Sequence, residues 1–304
     1  MLRPWDSLFD LLQPDLILAE YAPSMVLAAR GRIPTVMFGT GFTMPPANTP
    51  DYPPLQTDVE PIMPQERILA VVQEVQRRRN RPVPAALPEV LACERRFPCT
   101  FPEIDPYRAV RREATIPPLG DLPPPLPLPN EIRVFAYLAG DVAGLPKLIG
   151  GLAKTGISTG IFVRRISAAL RETIKKTQLR LFDEPVPLAQ VLPHVTAVLH
   201  HGGSGTTEAC LTAGRAQILT PRHLEQGLTS RALRELGVGV TLAKDAAEDA
   251  VADTVKLVAK DAKSHERAIA LAQQIAGRGP RPGIHPIIAA CEELAARPRA
   301  AAAS

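Results

Sequence analysis

From Arg133 onward the chain alternates short apolar runs with helical stretches, and this alternation is the strongest limit on what it can fold into. Residues 133–138, 158–163, 179–182, 197–200, 217–219 and 238–242 have the length and apolar character of strands, and helical patterns at 145–154, 209–213 and 228–236 lie between them. Strands joined through helices cannot form hairpins. Each helix must cross back over the sheet, which makes neighbouring strands parallel and covers both faces. The expected class is α/β, a doubly wound sheet that binds ligands at the carboxyl ends of its strands. Residues 246–296 read as almost wholly helical, and 299–304 as a disordered Ala-rich tail.

The first 130 residues have a different character, because most of the 33 prolines crowd into them. A helix at 5–12, a strand at 16–19, a helix at 23–30 closed by Gly31 and a strand at 35–38 make a βαβ unit. Across 44–64 and 82–129 proline is too frequent for regular structure, apart from a helix at 66–79 with Ile68, Leu69, Val72 and Val75 on one side. DLPPPLPLP at 121–129 reads as a polyproline-type linker. These shifts divide the chain into an N-terminal domain at 1–116, a linker at 117–130, a C-terminal domain at 131–298 and the tail.

Several classes of function are disfavoured at once. Thirty-five Lys and Arg against 31 Asp and Glu give a net charge of +4, too mild for nucleic acid to be the default partner. No uninterrupted apolar run of about 18 residues is present to span a bilayer. The four cysteines lack CxxC spacing, and no basic-then-apolar leader opens the chain, so a reduced cytoplasmic protein is expected. The histidines share no metal spacing, and structural or surface roles are the default for His194, His223, His265 and His285.

The chemistry is concentrated at 198–239. A strand ends at His200 and His201, the turn Gly202, Gly203, Ser204, Gly205, Thr206, Thr207 follows, and a helix starts near Thr207. Glycines let a ligand approach the backbone, and the N–H groups at a helix start suit a phosphate. The Walker loop is excluded, since no lysine occurs between Lys176 and Lys244; a nucleophile elbow is disfavoured by Thr206 where its second glycine belongs. A dinucleotide fingerprint would need glycine where Glu208 stands. An NAD enzyme and a plain strand-to-helix turn stay open as alternatives.

The stretch from His201 to Gln226 resembles the nucleotide-sugar signature of the GT-B glycosyltransferases, particularly the UDP-glycosyltransferase family. The shared pattern is a strand ending in His, a Gly/Ser-rich turn, a helix closed by Ala213-Gly214, a short strand, Pro221, and then Glu225-Gln226. Residues 184–193, EPVPLAQVLP, look like the family segment that lines the nucleotide base, through Val186 and Pro187. Residues 15–42 are similar to the later part of the family's acceptor-binding domain, and Tyr21, Phe42 and Met44 are candidates either for an acceptor pocket or for core.

The resemblance implies a GT-B-like fold of two Rossmann-like domains, the N-terminal one truncated, with three βα units lacking before Leu16, roughly 100 residues at ~30 or more per unit. It further implies that His201, Gly202, Gly203, Ser204, Gly205, Thr206 and Thr207 hold the diphosphate of a UDP- or dTDP-sugar and that Glu225 and Gln226 bind the donor sugar. The implied reaction is inverting hexosyl transfer to a small-molecule hydroxyl acceptor, with no cofactor and no metal. The family's base is a histidine oriented by a carboxylate; Glu20 stands where that carboxylate is expected, but no histidine precedes His194. A nucleotide-sugar epimerase and a catalytically silent nucleotide-sugar-binding or auxiliary protein are the alternatives. The chain departs from the family pattern at Gly214-Arg215-Ala216, usually Gly-Val-Pro, and at Leu188, usually Gln.

Overall fold

A computed structural model describes residues 2–56, 58–142 and 144–297. The chain forms two compact units. One contains the residues up to Leu119 together with those from Arg281 onward, and the other is Gly120–Pro280.

The second unit is built on a six-stranded parallel sheet. Its elements are β4 (Arg133–Ala139), α4 (Leu145–Lys154), β5 (Ser158–Arg164), α5 (Ala168–Lys175), β6 (Arg180–Phe182), α6 (Leu188–Val191), β7 (Ala197–His200), α7 (Ser204–Ala213), β8 (Ala216–Leu219), α8 (Leu224–Glu235), β9 (Gly239–Thr241), α9 (Glu248–Lys260) and α10 (Ala262–Ala276). Strand order is β6-β5-β4-β7-β8-β9, so the chain winds outward from β4 to one edge, returns, and winds outward from β7 to the other. Adjacent strands β4 and β7 therefore mark the point where winding reverses, and the loops after them part to leave a crevice.

Alternate residues of β4, Val134, Ala136 and Leu138, face a core closed by Leu152 of α4 and Val255 of α9. The two helices approach so closely that a Cβ at Gly151 would lie 2.5 Å from Val251 Cβ and 2.7 Å from the Glu248 carbonyl oxygen, which makes glycine obligatory there. The α/β expectation from alternating strands and helices is met.

The proline-rich stretch at 121–129 is a strap fastened to this unit instead of a free linker. Leu126 N–H bonds the Ala213 carbonyl at 3.3 Å. Fully buried Arg215 donates to the carbonyls of Leu126 (3.2 Å), Pro127 (2.7 Å), Leu192 (2.8 Å), Ala213 (3.0 Å) and Gly214 (3.2 Å). The guanidinium forms no ion pair with a carboxylate among the described residues; instead carbonyl oxygens accept from all three of its nitrogens. This accounts for arginine where the family pattern has valine.

The first unit holds α1 (Arg3–Leu12), β1 (Ile17–Glu20), α2 (Pro23–Ala29), β2 (Thr35–Thr40), α3 (Gln65–Arg78) and β3 (Arg95–Cys99) in a three-stranded parallel sheet of order β1-β2-β3. Strand β3 corrects the expectation of irregular structure across 82–129. Proline is tolerated in it because β3 lies at the edge of the sheet, and Ile116 N–H completes the pairing by bonding the Pro98 carbonyl at 3.0 Å.

The expected boundary at 298 is also corrected. Helix α11 (His285–Ala295) buries Ile287, Ala290 and Leu294 against Val36 and Cys99, and so belongs to the first unit. The tail at 299–304 lies outside the described residues. Among the described residues no helix is long and apolar enough to cross a membrane.

Candidate functional site

The strand-to-helix turn after β7 is shorter than the glycine count suggests. Helix α7 begins at Ser204, not near Thr207, with Gly203 as its cap in an extended conformation. The Gly203 carbonyl accepts the Thr207 N–H at 3.0 Å. This leaves the N–H groups of Ser204, Gly205 and Thr206 without intrahelical partners, at the positive end of the helix. A Cβ added at Gly203 or Gly205 would meet no atom within 4 Å, so the turn is open on that side.

Gly202 behaves differently. Its φ of +87° is a left-handed conformation, its N–H is spent on His200 Nδ1 at 3.0 Å, and a Cβ there would lie 3.2 Å from the Gln226 carbonyl oxygen. That close approach packs the turn against the start of α8. The two halves of the motif, separated in sequence, are thus brought together, with half-buried Glu225 and Gln226 beside the turn and Gln226 Oε1 accepting the Arg222 N–H at 2.9 Å.

Two residues expected at the diphosphate, Thr207 and Gly202, have their N–H groups already bonded within the protein. Thr207 is fully buried, its hydroxyl has no partner among the described residues and its N–H closes the helical ladder. Gly202 serves through its conformation alone, since its N–H is already bonded.

The two histidines divide structural labour. His200 is buried, accepts from Gly202 on Nδ1 and therefore donates from Nε2 to Gln217 Oε1 at 2.9 Å. Burial, only partly offset by the Gln217 bond, lowers its pKa to about 4 and keeps it neutral. His201 Nε2 accepts the Ala139 N–H at 3.0 Å, which assigns its proton to Nδ1, and Nδ1 donates to the Thr220 carbonyl at 3.1 Å.

Burial also lowers the His201 pKa, against a backbone bond to Thr220 that raises it. The ring therefore ties the ends of β4 and β8 to the turn after β7. Without a ligand both ring nitrogens of His201 are engaged within the protein, Nε2 by Ala139 and Nδ1 by Thr220.

Glu208, one turn into α7, is buried, and its carboxyl forms no hydrogen bond or ion pair among the described residues. Burial first, and repulsion from Glu225 second, push its pKa up to about 7. Val186 is half-buried and Pro187 exposed, in the loop that follows edge strand β6. All strands being parallel, this loop emerges at the same end of the sheet as the His201 turn. A neighbouring cavity of about 230 Å³, lined by Asp141, Thr220, Arg222 and Lys244 among others, was not foreseen. Arg222 and Asp141 pair at 2.8 Å, which holds the Asp141 carboxyl below its ordinary pKa. Pro221 was the one local sign that the chain turns there.

The first unit has its own cavity, of about 770 Å³, lined mainly by apolar residues including Phe42, Ile68 and Val72, with Tyr21, Tyr52 and Tyr107. Tyr21 and Phe42 thus line a pocket, whereas Met44 is fully buried in the core. Glu20 is exposed at the end of β1, and its carboxyl forms no hydrogen bond among the described residues. Tyr52 and Tyr107 escaped sequence reading because they stand among prolines that carry no periodicity.

Comparison with known proteins gives this geometry its context. Residues 163–294 match the model of the Erythromycin biosynthesis protein CIII-like, C-terminal domain. Over 73 residues the chain is 44% identical to elloramycin glycosyltransferase ElmGT of Streptomyces olivaceus, a match covering 24% of this chain and 17% of that protein. The calicheamicin glycosyltransferase CalG4 superposes with a TM-score of 0.72 at 18% identity, covering 97% of this chain and 78% of the other. The glycosyltransferase VinC, solved in complex with DTDP, superposes with a TM-score of 0.67 at 18% identity, covering 98% and 76%. The chain has the fold of the GT-B glycosyltransferases, and its residues 163–294 are similar to the EryCIII-like C-terminal domain.

Proposed function

We propose that the protein is a glycosyltransferase of the antibiotic-modifying type, which moves a hexose from a UDP- or dTDP-sugar to a hydroxyl of a small acceptor with inversion and without a metal. The observation that carries this reading is the open start of α7, where three N–H groups without helical partners lie beside Glu225 and Gln226. In the reaction the acceptor oxygen attacks the anomeric carbon, the C–O bond to phosphate breaks, and the diphosphate leaves with the electron pair. The charge that develops on it falls on the N–H groups of Ser204, Gly205 and Thr206 and the hydroxyls of Ser204 and Thr206, pre-oriented by the helix. His201 fixes the turn that presents them. Glu225 accepts and Gln226 both donates and accepts, a set that suits sugar hydroxyls. Val186 and Pro187 line the base, and the apolar cavity of the first unit takes the acceptor. Glu20 is the carboxylate available to receive the acceptor proton.

Incubation with UDP-glucose and dTDP-glucose and a panel of hydroxylated polycyclic acceptors, with and without EDTA, tests this. The expected result is an acceptor heavier by one hexose, of inverted anomeric configuration, in both conditions. A product that vanishes with EDTA would overturn metal independence. The exposed Glu20 without a histidine favours a second reading, a nucleotide-sugar binder that does not transfer; it predicts nucleotide binding with no product. Epimerised donor formed without acceptor would point to an epimerase instead.

A further inference from the structure

The exit of β7 is crossed by an ion pair. Strand β7 lies between β4 and β8, and the loops that follow these two neighbours supply Asp141 and Arg222. Arg222 Nη2 donates to Asp141 Oδ2 at 2.8 Å, so the pair spans the end of the strand that leads into His201 and the turn before α7. The ends of the same two strands are also joined through the His201 ring, by the Ala139 N–H on one side and the Thr220 carbonyl on the other. Burial and the Thr220 bond dominate the His201 pKa; behind them the Arg222 charge lowers it and the Asp141 charge raises it, so both members of the pair lie close to the ring.

This pair is not built as a permanent lock. Its side chains are 31% and 64% exposed, where an ion pair contributes little to stability. Of the guanidinium nitrogens of Arg222, only Nη2 is engaged among the described residues. The main chain, in contrast, is fixed: the Arg222 N–H bonds Gln226 Oε1 at 2.9 Å at the start of α8, and the Gln226 carbonyl oxygen lies 3.2 Å from where a Cβ at Gly202 would stand. Arg222 is thus free to change its side-chain partner without moving the turn.

A diphosphate seated at the start of α7 carries more than one full negative charge, whereas the helix end offers a partial positive charge and His200 and His201 are neutral. Glu225, beside the turn, adds a negative charge of its own. Lys244 shares the wall of the 230 Å³ cavity with Asp141 and Arg222, and Arg164 ends β5, but neither side chain bonds the turn or α8 among the described residues. Arg222 is the cation tied to that frame through its own main chain.

We propose that Asp141 is an internal stand-in for the donor's diphosphate, and that Arg222 exchanges it for the sugar-bearing phosphate when the nucleotide sugar binds. Arg222 meets that phosphate and not the other because its N–H is held by Gln226, one of the two residues assigned to the sugar. Phosphate oxygens offer the planar guanidinium paired acceptors and more charge than a single carboxylate, which favours the exchange, and the released Asp141 carboxylate returns to water. As the bond between the anomeric carbon and the phosphate oxygen breaks, the charge left on the diphosphate falls on Arg222 as well as on the N–H groups of α7. The inference rests on the glycosyltransferase reading and adds to it a side-chain cation for the leaving group.

UDP and UMP are titrated by calorimetry, without added metal, into the full chain and into Arg222→Gln, Arg222→Lys and Asp141→Asn. Arg222→Gln is expected to weaken UDP binding about tenfold and UMP binding by less than about threefold, since UMP lacks the phosphate concerned. Arg222→Lys keeps the charge and should recover part of the loss. Asp141→Asn removes the competitor and is expected to tighten UDP binding about 2–5-fold, more than it tightens UMP binding. Opposite signs in the two partners separate an exchange from a structural bridge, for which both variants would weaken binding together. Unchanged UDP affinity in Arg222→Gln, equal losses for UDP and UMP, or an Asp141→Asn variant that binds UDP no more tightly than the unmodified chain overturns the proposal. UDP binding that ignores Arg222 overturns this inference alone, whereas failure of the unmodified chain to bind UDP overturns it together with the glycosyltransferase reading.

Discussion

The two units prepare binding surfaces by opposite means. In the second, the groups we propose for the ligand are main-chain N–H donors at the start of α7, set by where a helix begins, and the nearby side chains His200 and His201 are neutral struts. In the first, side chains form nearly the whole cavity, and a buried network of charges holds their loops: Arg111 with Asp105 and Glu113, and Arg96 with Glu113 and the Pro45 carbonyl. A site made of backbone tolerates side-chain change but depends on turn geometry. A site made of side chains depends on what stands behind them.

The sharpest way to break this contrast is to remove each unit's buried arginine. Arg111→Met leaves buried Asp105 without its guanidinium, while Glu113 keeps Arg96, and is expected to destabilise the first unit by about 3–5 kcal/mol, read as a loss of its denaturant transition. Arg215→Met leaves carbonyl groups unsatisfied but strands no charge, and a smaller cost of about 2–3 kcal/mol is expected on the second unit. Equal effects would mean that the polar cores of the two units are not distinct in kind.

Titration sharpens the account of the second unit. The Glu208 pKa is raised from 4.5 to about 7 on folding, so its stabilising contribution is fully present below pH 4.5 and is lost as pH rises through about 7. The loss is on the order of 3–4 kcal/mol at ~1.4 kcal/mol per pKa unit, and Glu208→Gln should abolish it, as equilibrium unfolding between pH 4 and 8 would record. His200 works in the other direction. Its pKa falls from 6.5 to about 4, so the stability it contributes is present above pH 6.5 and is lost as pH falls through about 4. Gly202→Ala forces a side chain into a φ of +87° against Gln226 and should cost about 1–2 kcal/mol, whereas Gly205→Ala, with open space around it, should leave stability nearly unchanged.

How far the sequence could be read follows the same division. In the second unit, periodicity located the six strands to within a residue or so and the motif found the turn, because strand, crossover helix and glycine each leave a local signature. The bonding of His201 was not legible: its partners Ala139 and Thr220 are 62 and 19 residues away, and only the meeting of β4, β7 and β8 joins them. In the first unit, proline hid β3, since its strand character depends on lying at a sheet edge. Tyr52 and Tyr107 carried no pattern, as what unites them is a cavity. The assignment of residues after 280 to the first unit likewise depends on α11 packing against Val36, a contact across some 250 residues of sequence.

The central claim is that the open N–H groups of α7 bind a nucleotide diphosphate. Ser204→Pro tests it most directly, because proline is well accepted at the first position of a helix and removes both one of those N–H groups and a hydroxyl, while Ser204→Ala removes the hydroxyl alone. Calorimetric titration of UDP and dTDP, without added metal, into the unmodified chain and both variants should show binding that weakens at least about tenfold in Ser204→Pro and much less in Ser204→Ala. Absence of binding by the unmodified chain, or equal affinity in Ser204→Pro, would contradict the claim.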